Sequence, residues 1–305
     1  MSTIFQIIFD VLSRVITLYI GVTAGLIFIK SPLKKFKREF IWITINIFTP
    51  FLIFISFLSI ELDSAVLYPI FGAILVTIIG VTAPKYLVKL GMGDEATPAE
   101  ISTATFPNAL NFPFPIIYAF APGGLGIASI FLGLSTIARN TVGFWIAGTG
   151  LDRDSLKKVA MFPPIWGIIL GIIVRFTSPN FSTNFADIGW INVLFQIGIF
   201  ATIMTVGFGL KLPHLENFYP IFRTGLVRFV IMGLIGFITV IVFQPSIIIA
   251  IPFIVQLMAP PAVYNGLYAE ILGLDTELTS QIIVTLTLVA LLLLPFQIIL
   301  IQFLL

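Results

Sequence analysis

The chain has no cysteine and a single histidine, His214, among its 305 residues. Without cysteine, neither a disulfide framework nor a thiolate metal site can form. One histidine excludes both the H-E-x-x-H pattern and any multi-histidine metal site. The sequence also has no G-x-x-x-x-G-K-[ST] run, which excludes a P-loop nucleotide site. We therefore expect neither a metal nor a bound cofactor.

Charged residues are scarce, because Asp, Glu, Lys and Arg make up 10% of the chain, against about 25% in an average soluble protein. Hydrophobic residues make up 58%, and the mean hydropathy is +1.11. This composition indicates an all-α membrane protein whose surroundings are a lipid bilayer, with no nucleic-acid partner. Since about 20 apolar residues cross a bilayer, we predict ten transmembrane helices, at 5–30, 38–60, 65–88, 100–121, 124–149, 160–177, 188–211, 218–242, 246–272 and 277–304.

The basic residues predict the orientation of these helices, because short cytoplasmic loops carry an excess of Lys and Arg. Alternate predicted loops hold most of them: Lys30, Lys34, Lys35, Lys37 and Arg38; Lys85 and Lys89; Arg153, Lys157 and Lys158; and Lys211 with Arg223. The pattern places these loops in the cytoplasm and both termini outside. We expect a multi-pass protein of the cell membrane.

The most polar connection, around 148–164, divides the chain into two sets of five predicted helices, 1–150 and 151–305. An odd number of spans in each half inverts one half relative to the other, as in many secondary transporters. The sequence therefore predicts two inverted five-helix repeats.

Prolines interrupt the fourth predicted helix of each half, in "FPNALNFPFP" at 106–115 and in "QLMAPPAVYN" at 256–265. Unwound backbone within a membrane is tolerated only where it is buried in protein or lines a polar cavity. A broken helix also exposes N–H groups at one new end and carbonyls at the other, which suit an anion and a cation respectively. Paired breaks of this kind predict a binding site near the middle of the membrane.

The first break resembles the fourth-span motif of the auxin efflux carrier family, with Asn108, Pro113 and Pro115 followed by "GGLG". The second, "MAPPAVYNGLYAEILGLDTEL", resembles the ninth-span segment of that family, and "VGFGLKL" and "FTPFLIF" resemble its seventh and second spans. The chain departs from the family at Pro113, where glycine is usual.

The resemblance implies a scaffold formed by spans 1, 2, 6 and 7 and a transport domain formed by spans 3–5 and 8–10, with broken helices 4 and 9 crossing. It implies an elevator-type movement that carries a small organic anion, and a homodimer formed through the scaffold domain. The similar fold of the bile acid:sodium symporters couples transport to Na⁺, so coupling to Na⁺ or H⁺ stays open.

The candidate substrate-binding residues lie at or near the breaks: Asn108, Asn111, Pro113, Pro115, Pro260, Pro261, Tyr264, Asn265 and Arg139. Glu270 is the ion-coupling candidate, with simple solvation at the cytoplasmic mouth as the alternative. Arg139 either attracts the anion or binds carbonyls of a broken helix, and for Arg228 the structural role is favoured. The alternative to a substrate-binding role is a simple helix kink for the prolines. For the asparagines it is hydrogen bonding between helices.

Three classes of function stay open: a carrier of small organic anions, a channel, and an intramembrane enzyme or receptor. The predicted inverted halves and paired breaks favour the carrier. We expect no enzymatic activity, because the spans carry isolated charges and no carboxylate pair or nucleophile with a base. A monocarboxylate such as indole-3-acetate and a dicarboxylate such as malonate both suit the predicted site.

Overall fold

The computed structural model describes residues 2–58, 64–148, 161, 163–178, 185, 188–209 and 217–304. Within these ranges the chain is helical, and the single β-type pairing is an isolated bridge between Pro107 and Pro261. In the described part of the chain, seven helices are long and apolar enough to cross a membrane. The prediction of an all-α membrane protein is therefore confirmed.

The helices are numbered here in chain order. They are α1 (Ser2–Lys30), α2 (Pro32–Leu58), α3 (Ser64–Lys89), α4 (Pro98–Thr105), α5 (Pro113–Phe120), α6 (Pro122–Ile146), α7 (Pro163–Thr177), α8 (Gly189–Gly209), α9 (Phe218–Phe243), α10 (Ile247–Leu257), α11 (Tyr264–Leu272) and α12 (Thr276–Leu304). Each of α2 and α9 contains a π-helical segment, at Thr44–Phe48 and Leu226–Ile231.

Two of the predicted membrane helices each consist of two short helices in the structure. The segment predicted at 100–121 forms α4 and α5, and the segment at 246–272 forms α10 and α11. The count of ten spans and the inverted repeat remain predictions. The predicted boundary between residues 150 and 151 lies outside the described residues, as do Arg153, Lys157, Lys158, Lys211 and His214.

Helices α1, α2, α7 and α8 pack together as a four-helix group, and small residues permit the close approach. A Cβ atom on Gly207 of α8 would lie 2.1 Å from the carbonyl oxygen of Val22 in α1. A Cβ on Gly167 of α7 would lie 2.5 Å from the carbonyl oxygen of Pro50 in α2. Glycine therefore lets the backbones of these helix pairs touch, a common device in membrane proteins.

The remaining helices, α3–α6 and α9–α12, form a six-helix group. Helix α3 packs against α4, α6 and α10, while α12 packs against α4, α9 and α11. The first half of the chain thus interleaves with the second in both groups. The division into a scaffold and a transport domain stays a prediction.

Two side chains of α1 join the groups. Arg14 donates a hydrogen bond to the carbonyl oxygen of Ala119 at the end of α5, and Tyr19 donates one to the carbonyl of Leu291 in α12. Arg14 also pairs with Asp10 at 3.0 Å, one turn earlier on the same helix.

The prediction for Arg223 was wrong. The basic-residue pattern places it in a cytoplasmic loop, whereas its side chain is buried in α9 and forms a salt bridge of 2.6 Å with Glu100 of α4. Its guanidinium also donates to the carbonyls of Met92 and Glu95. Burial of this arginine is tolerated because a carboxylate and two carbonyls surround it.

Candidate functional site

The two helix breaks lie against each other and pair through their backbones. The Asn108 N–H donates to the carbonyl of Pro260 at 2.7 Å, and the Ala262 N–H donates to the carbonyl of Phe106 at 3.1 Å. Pro107 and Pro261, which have no N–H, face each other in an antiparallel bridge. This pairing satisfies backbone groups that would otherwise be unpaired in an apolar interior.

The side chain of Asn108 organises the first break. Its Oδ1 accepts a hydrogen bond from the Asn111 N–H at 3.0 Å, so the chain turns before α5 begins. Asparagine favours such turns because its side chain replaces a backbone acceptor.

Pro113 is the first residue of α5, and Pro115 lies in its first turn. Proline is favoured at the start of a helix, since the N–H it lacks would have no partner within the helix there. The two prolines therefore define where the helix resumes, and the non-helical path itself is formed by residues 106–112.

Asn265 links the second break to the first. It is buried in the first turn of α11, and its Nδ2 donates to the carbonyl of Phe106 at 3.0 Å. The same carbonyl accepts from the Ala262 N–H, so both lone pairs at the end of α4 are used. Pro260 and Pro261 form the non-helical segment between α10 and α11.

Arg139 of α6 reaches the same place. Its Nη2 donates to the carbonyl of Pro107 at 3.3 Å. The guanidinium carbon lies 5.7 Å from the ring centre of Phe106 and 5.9 Å from that of Tyr268, both within cation–π range. Arg139 therefore binds a carbonyl just beyond the end of α4. Binding to carbonyls of a broken helix is one of the two roles that the sequence leaves open for this residue.

A small cavity of about 40 Å³ opens between the paired breaks and the four-helix group. Both groups of helices line it, because Ile45 and Thr49 of α2 and Pro164 of α7 face residues of the two breaks. The described residues that line it are Ile45, Thr49, Pro107, Asn108, Ala109, Leu110, Asn111, Leu132, Thr136, Arg139, Pro164, Ala262, Val263 and Tyr264. Among the described residues of this lining, Arg139 is the one that carries a charge.

Several buried polar atoms at the breaks have no hydrogen-bond partner within the described structure. Three are donors, Asn108 Nδ2, Arg139 Nε and Arg228 Nη1, and three are acceptors, Asn111 Oδ1, Asn265 Oδ1 and Gln256 Oε1. Buried polar groups are normally paired. Unpaired ones around a cavity therefore indicate where a ligand would bind.

The structure brings part of the predicted set together. Asn108, Asn111, Arg139 and Tyr264 line the cavity, together with Pro107. Pro113, Pro115, Pro260, Pro261 and Asn265 lie behind this lining and shape the two breaks. Glu270 is exposed on α11 and does not line the cavity.

Sequence reasoning missed Gln256. This residue is buried near the end of α10, and its Nε2 donates to the carbonyls of Ala109 at 3.1 Å and Ala128 at 3.3 Å. It therefore holds the first break against α6. The available signal was a single amide side chain in the otherwise apolar run "IIIAIPFIVQLMAP".

A scan of protein-family models gives no match to this chain, and a search of curated proteins finds none with significant similarity. The resemblance to auxin efflux carriers therefore rests on the motifs quoted above.

Proposed function

We propose that this protein is a secondary transporter that moves a small organic anion across the cell membrane. The observation that carries the proposal is the pairing of two helix breaks around a cavity in which an arginine is the charged residue among the described lining residues. Broken helices that meet in this way form the substrate sites of many secondary transporters. The proposal includes the ten-span inverted repeat and places both termini outside.

Arg139 and Asn108 supply the contacts for a carboxylate group in this proposal. Each has a buried N–H without a partner in the described structure. Charge-assisted hydrogen bonds from a guanidinium are among the strongest that a carboxylate accepts. Asn111 and Tyr264, which also line the cavity, contact the rest of the substrate.

The size of the cavity requires movement. Its volume of about 40 Å³ is far below the ~300 Å³ or more of a typical small-molecule site. Its walls come from both helix groups, so displacement of one group relative to the other would change its volume. We propose that the six-helix group is the transport domain, that it moves past the four-helix group in an elevator-type manner, and that the four-helix group also forms a homodimer.

A sodium-coupled organic anion symporter is the alternative. Two unpartnered buried oxygens, Asn111 Oδ1 and Asn265 Oδ1, favour it because amide oxygens are suitable ligands for a hard cation. Within the described residues, no three His, Cys, Asp or Glu side chains come together as a metal site.

Uptake of labelled carboxylates into proteoliposomes tests the proposal. Malonate and indole-3-acetate are compared, with and without gradients of Na⁺ and pH, for the wild type, Asn108→Ala and Asn192→Ala. Asn192 is an exposed asparagine of α8 and provides the matched control.

We expect uptake by the wild type and by Asn192→Ala, and at least about a tenfold loss of affinity in Asn108→Ala, as expected for one hydrogen bond to a charged group. Equal uptake by both asparagine variants would contradict the assigned site. Absence of flux for every anion would contradict the proposed substrate class.

A further inference from the structure

The carbonyl end of α10 is occupied by a buried arginine. Arg228 of α9 donates from Nε and Nη2 to the carbonyl of Ala259, at 2.8 and 2.7 Å, and from Nη2 to the carbonyl of Gln256 at 3.4 Å. Ala259 and Gln256 lie where α10 ends and the second break begins. Arg228 thus binds the last turn of a half-helix inside the protein.

The charge of Arg228 has no acidic partner in the described part of the chain. The described ion pairs of Asp10 with Arg14 and of Glu100 with Arg223 do not include Arg228. The side chain of Arg228 is 0% exposed. An isolated buried charge is costly, and here the negative pole of the α10 dipole offsets that cost.

The position of Arg228 is specialised. It lies in the π-helical segment Leu226–Ile231 of α9, and such segments occur frequently at functional sites. Arg228 is also linked to the cavity lining through Gln256. Gln256, which accepts from Arg228 through its backbone, donates through its side chain to Ala109 in the cavity lining.

In secondary transporters with broken helices, coupling cations bind to unwound carbonyls and to the C-terminal ends of half-helices. In this protein the corresponding ends already carry guanidinium groups. Arg139 binds Pro107 just beyond the end of α4, and Arg228 binds Ala259 just beyond the end of α10. Of the two, Arg228 lies behind the cavity lining, so substrate contact does not account for it.

We propose that Arg228 is a resident cation, which supplies at the second break the positive charge that a coupling ion supplies in other carriers, so that this protein needs no Na⁺ there. Arg228 is a positioning residue in this view, since it holds the end of α10 and, through Gln256, the first break. The coupling consequence rests on the proposed transport function, whereas the electrostatic role of Arg228 does not.

Thermal unfolding of the purified protein without substrate tests the inference. The wild type, Arg228→Ala, Arg228→Lys and Met232→Ala are compared in NaCl and in choline chloride at equal ionic strength. Each is also measured with low, non-denaturing guanidinium chloride and with the same concentration of urea. Met232 is buried one turn further along α9, so its truncation removes volume without removing charge.

We expect the Tm of the wild type to be the same in Na⁺ and choline. Arg228→Ala is expected to have a lower Tm than the wild type. Guanidinium should raise this Tm and urea should not, because the guanidinium cation can bind the carbonyls of Ala259 and Gln256 that the arginine side chain no longer contacts. Arg228→Lys keeps more of the wild-type Tm than Arg228→Ala and stays independent of Na⁺. Met232→Ala also has a lower Tm, but neither guanidinium nor Na⁺ raises it.

A wild-type Tm raised specifically by Na⁺ would overturn the inference, since an open cation site would then exist, for example at the oxygens of Asn111 and Asn265. Equal Tm values for Arg228→Ala and Arg228→Lys would also overturn it. If Arg228→Ala does not fold, the inference is tested by whether the Tm values of the wild type and of Arg228→Lys are independent of Na⁺. Failure to transport any anion would refute the proposed function. It would not affect the conclusion that the thermal measurements give on the electrostatic role of Arg228.

Discussion

Removal of the buried carboxylate of Glu100 is expected to destabilise the protein strongly. Glu100 accepts from Arg223 Nε at 2.7 Å and from Nη2 at 2.6 Å, and the two side chains are 0% and 1% exposed. Glu100→Gln leaves the guanidinium buried without its counter-charge. Breaking a buried pair in this way costs about 3–5 kcal/mol.

A matched pair on the surface gives the control. Asp10 and Arg14 lie at a similar distance, 3.0 Å, but their side chains are 48% and 46% exposed. Exposed pairs contribute about 0.2–1 kcal/mol. Asp10→Asn is therefore expected to change stability little.

Denaturant unfolding in mixed micelles, followed by fluorescence of the four tryptophans, measures both variants. The double variant Glu100→Met with Arg223→Met is expected to be more stable than either single methionine variant, because apolar replacement of both partners removes the unpaired charge. A loss for Glu100→Gln no larger than that for Asp10→Asn would refute the reasoning.

Two further predictions concern packing and orientation. Gly207→Ala places a methyl group 2.1 Å from the Val22 carbonyl, so we expect a markedly lower Tm, whereas Gly209→Ala meets nothing within 4 Å and should melt near the wild type. Because the protein has no native cysteine, Gln302→Cys, beside a cavity of about 930 Å³, is expected to react with an impermeant maleimide on intact cells. Lys89→Cys should react only after permeabilisation, and the reverse pattern would contradict the predicted orientation.

Local features of the sequence predicted both helix breaks correctly in position. Pro107 and Pro261 have no N–H to donate, so a continuous helix is disfavoured there whatever the surroundings. In the structure α4 begins after Thr97, whose Oγ1 accepts a hydrogen bond from the Glu100 N–H at 3.2 Å. The burial of Glu100 had no local signal in the sequence.

Arg223 and Arg228 show why part of the site was not predictable. Both lie in the same apolar stretch, and local sequence cannot say whether an arginine reaches a lipid headgroup, a carboxylate or a helix end. Their partners, Glu100 and Ala259, are distant in sequence and become neighbours only when α4 and α10 pack against α9. Gln256 was missed for the same reason.

The sequence by itself determined the membrane environment, the helical class and the places where helices break, since hydropathy and the missing N–H of proline act locally. Only the tertiary structure decided that Pro107 faces Pro261, that Arg139 and Arg228 lie on carbonyl ends, and that Glu270 stays outside the cavity. These are contacts between segments far apart along the chain. Their energies depend on which helices pack together, and helix packing decides which buried charge meets which partner.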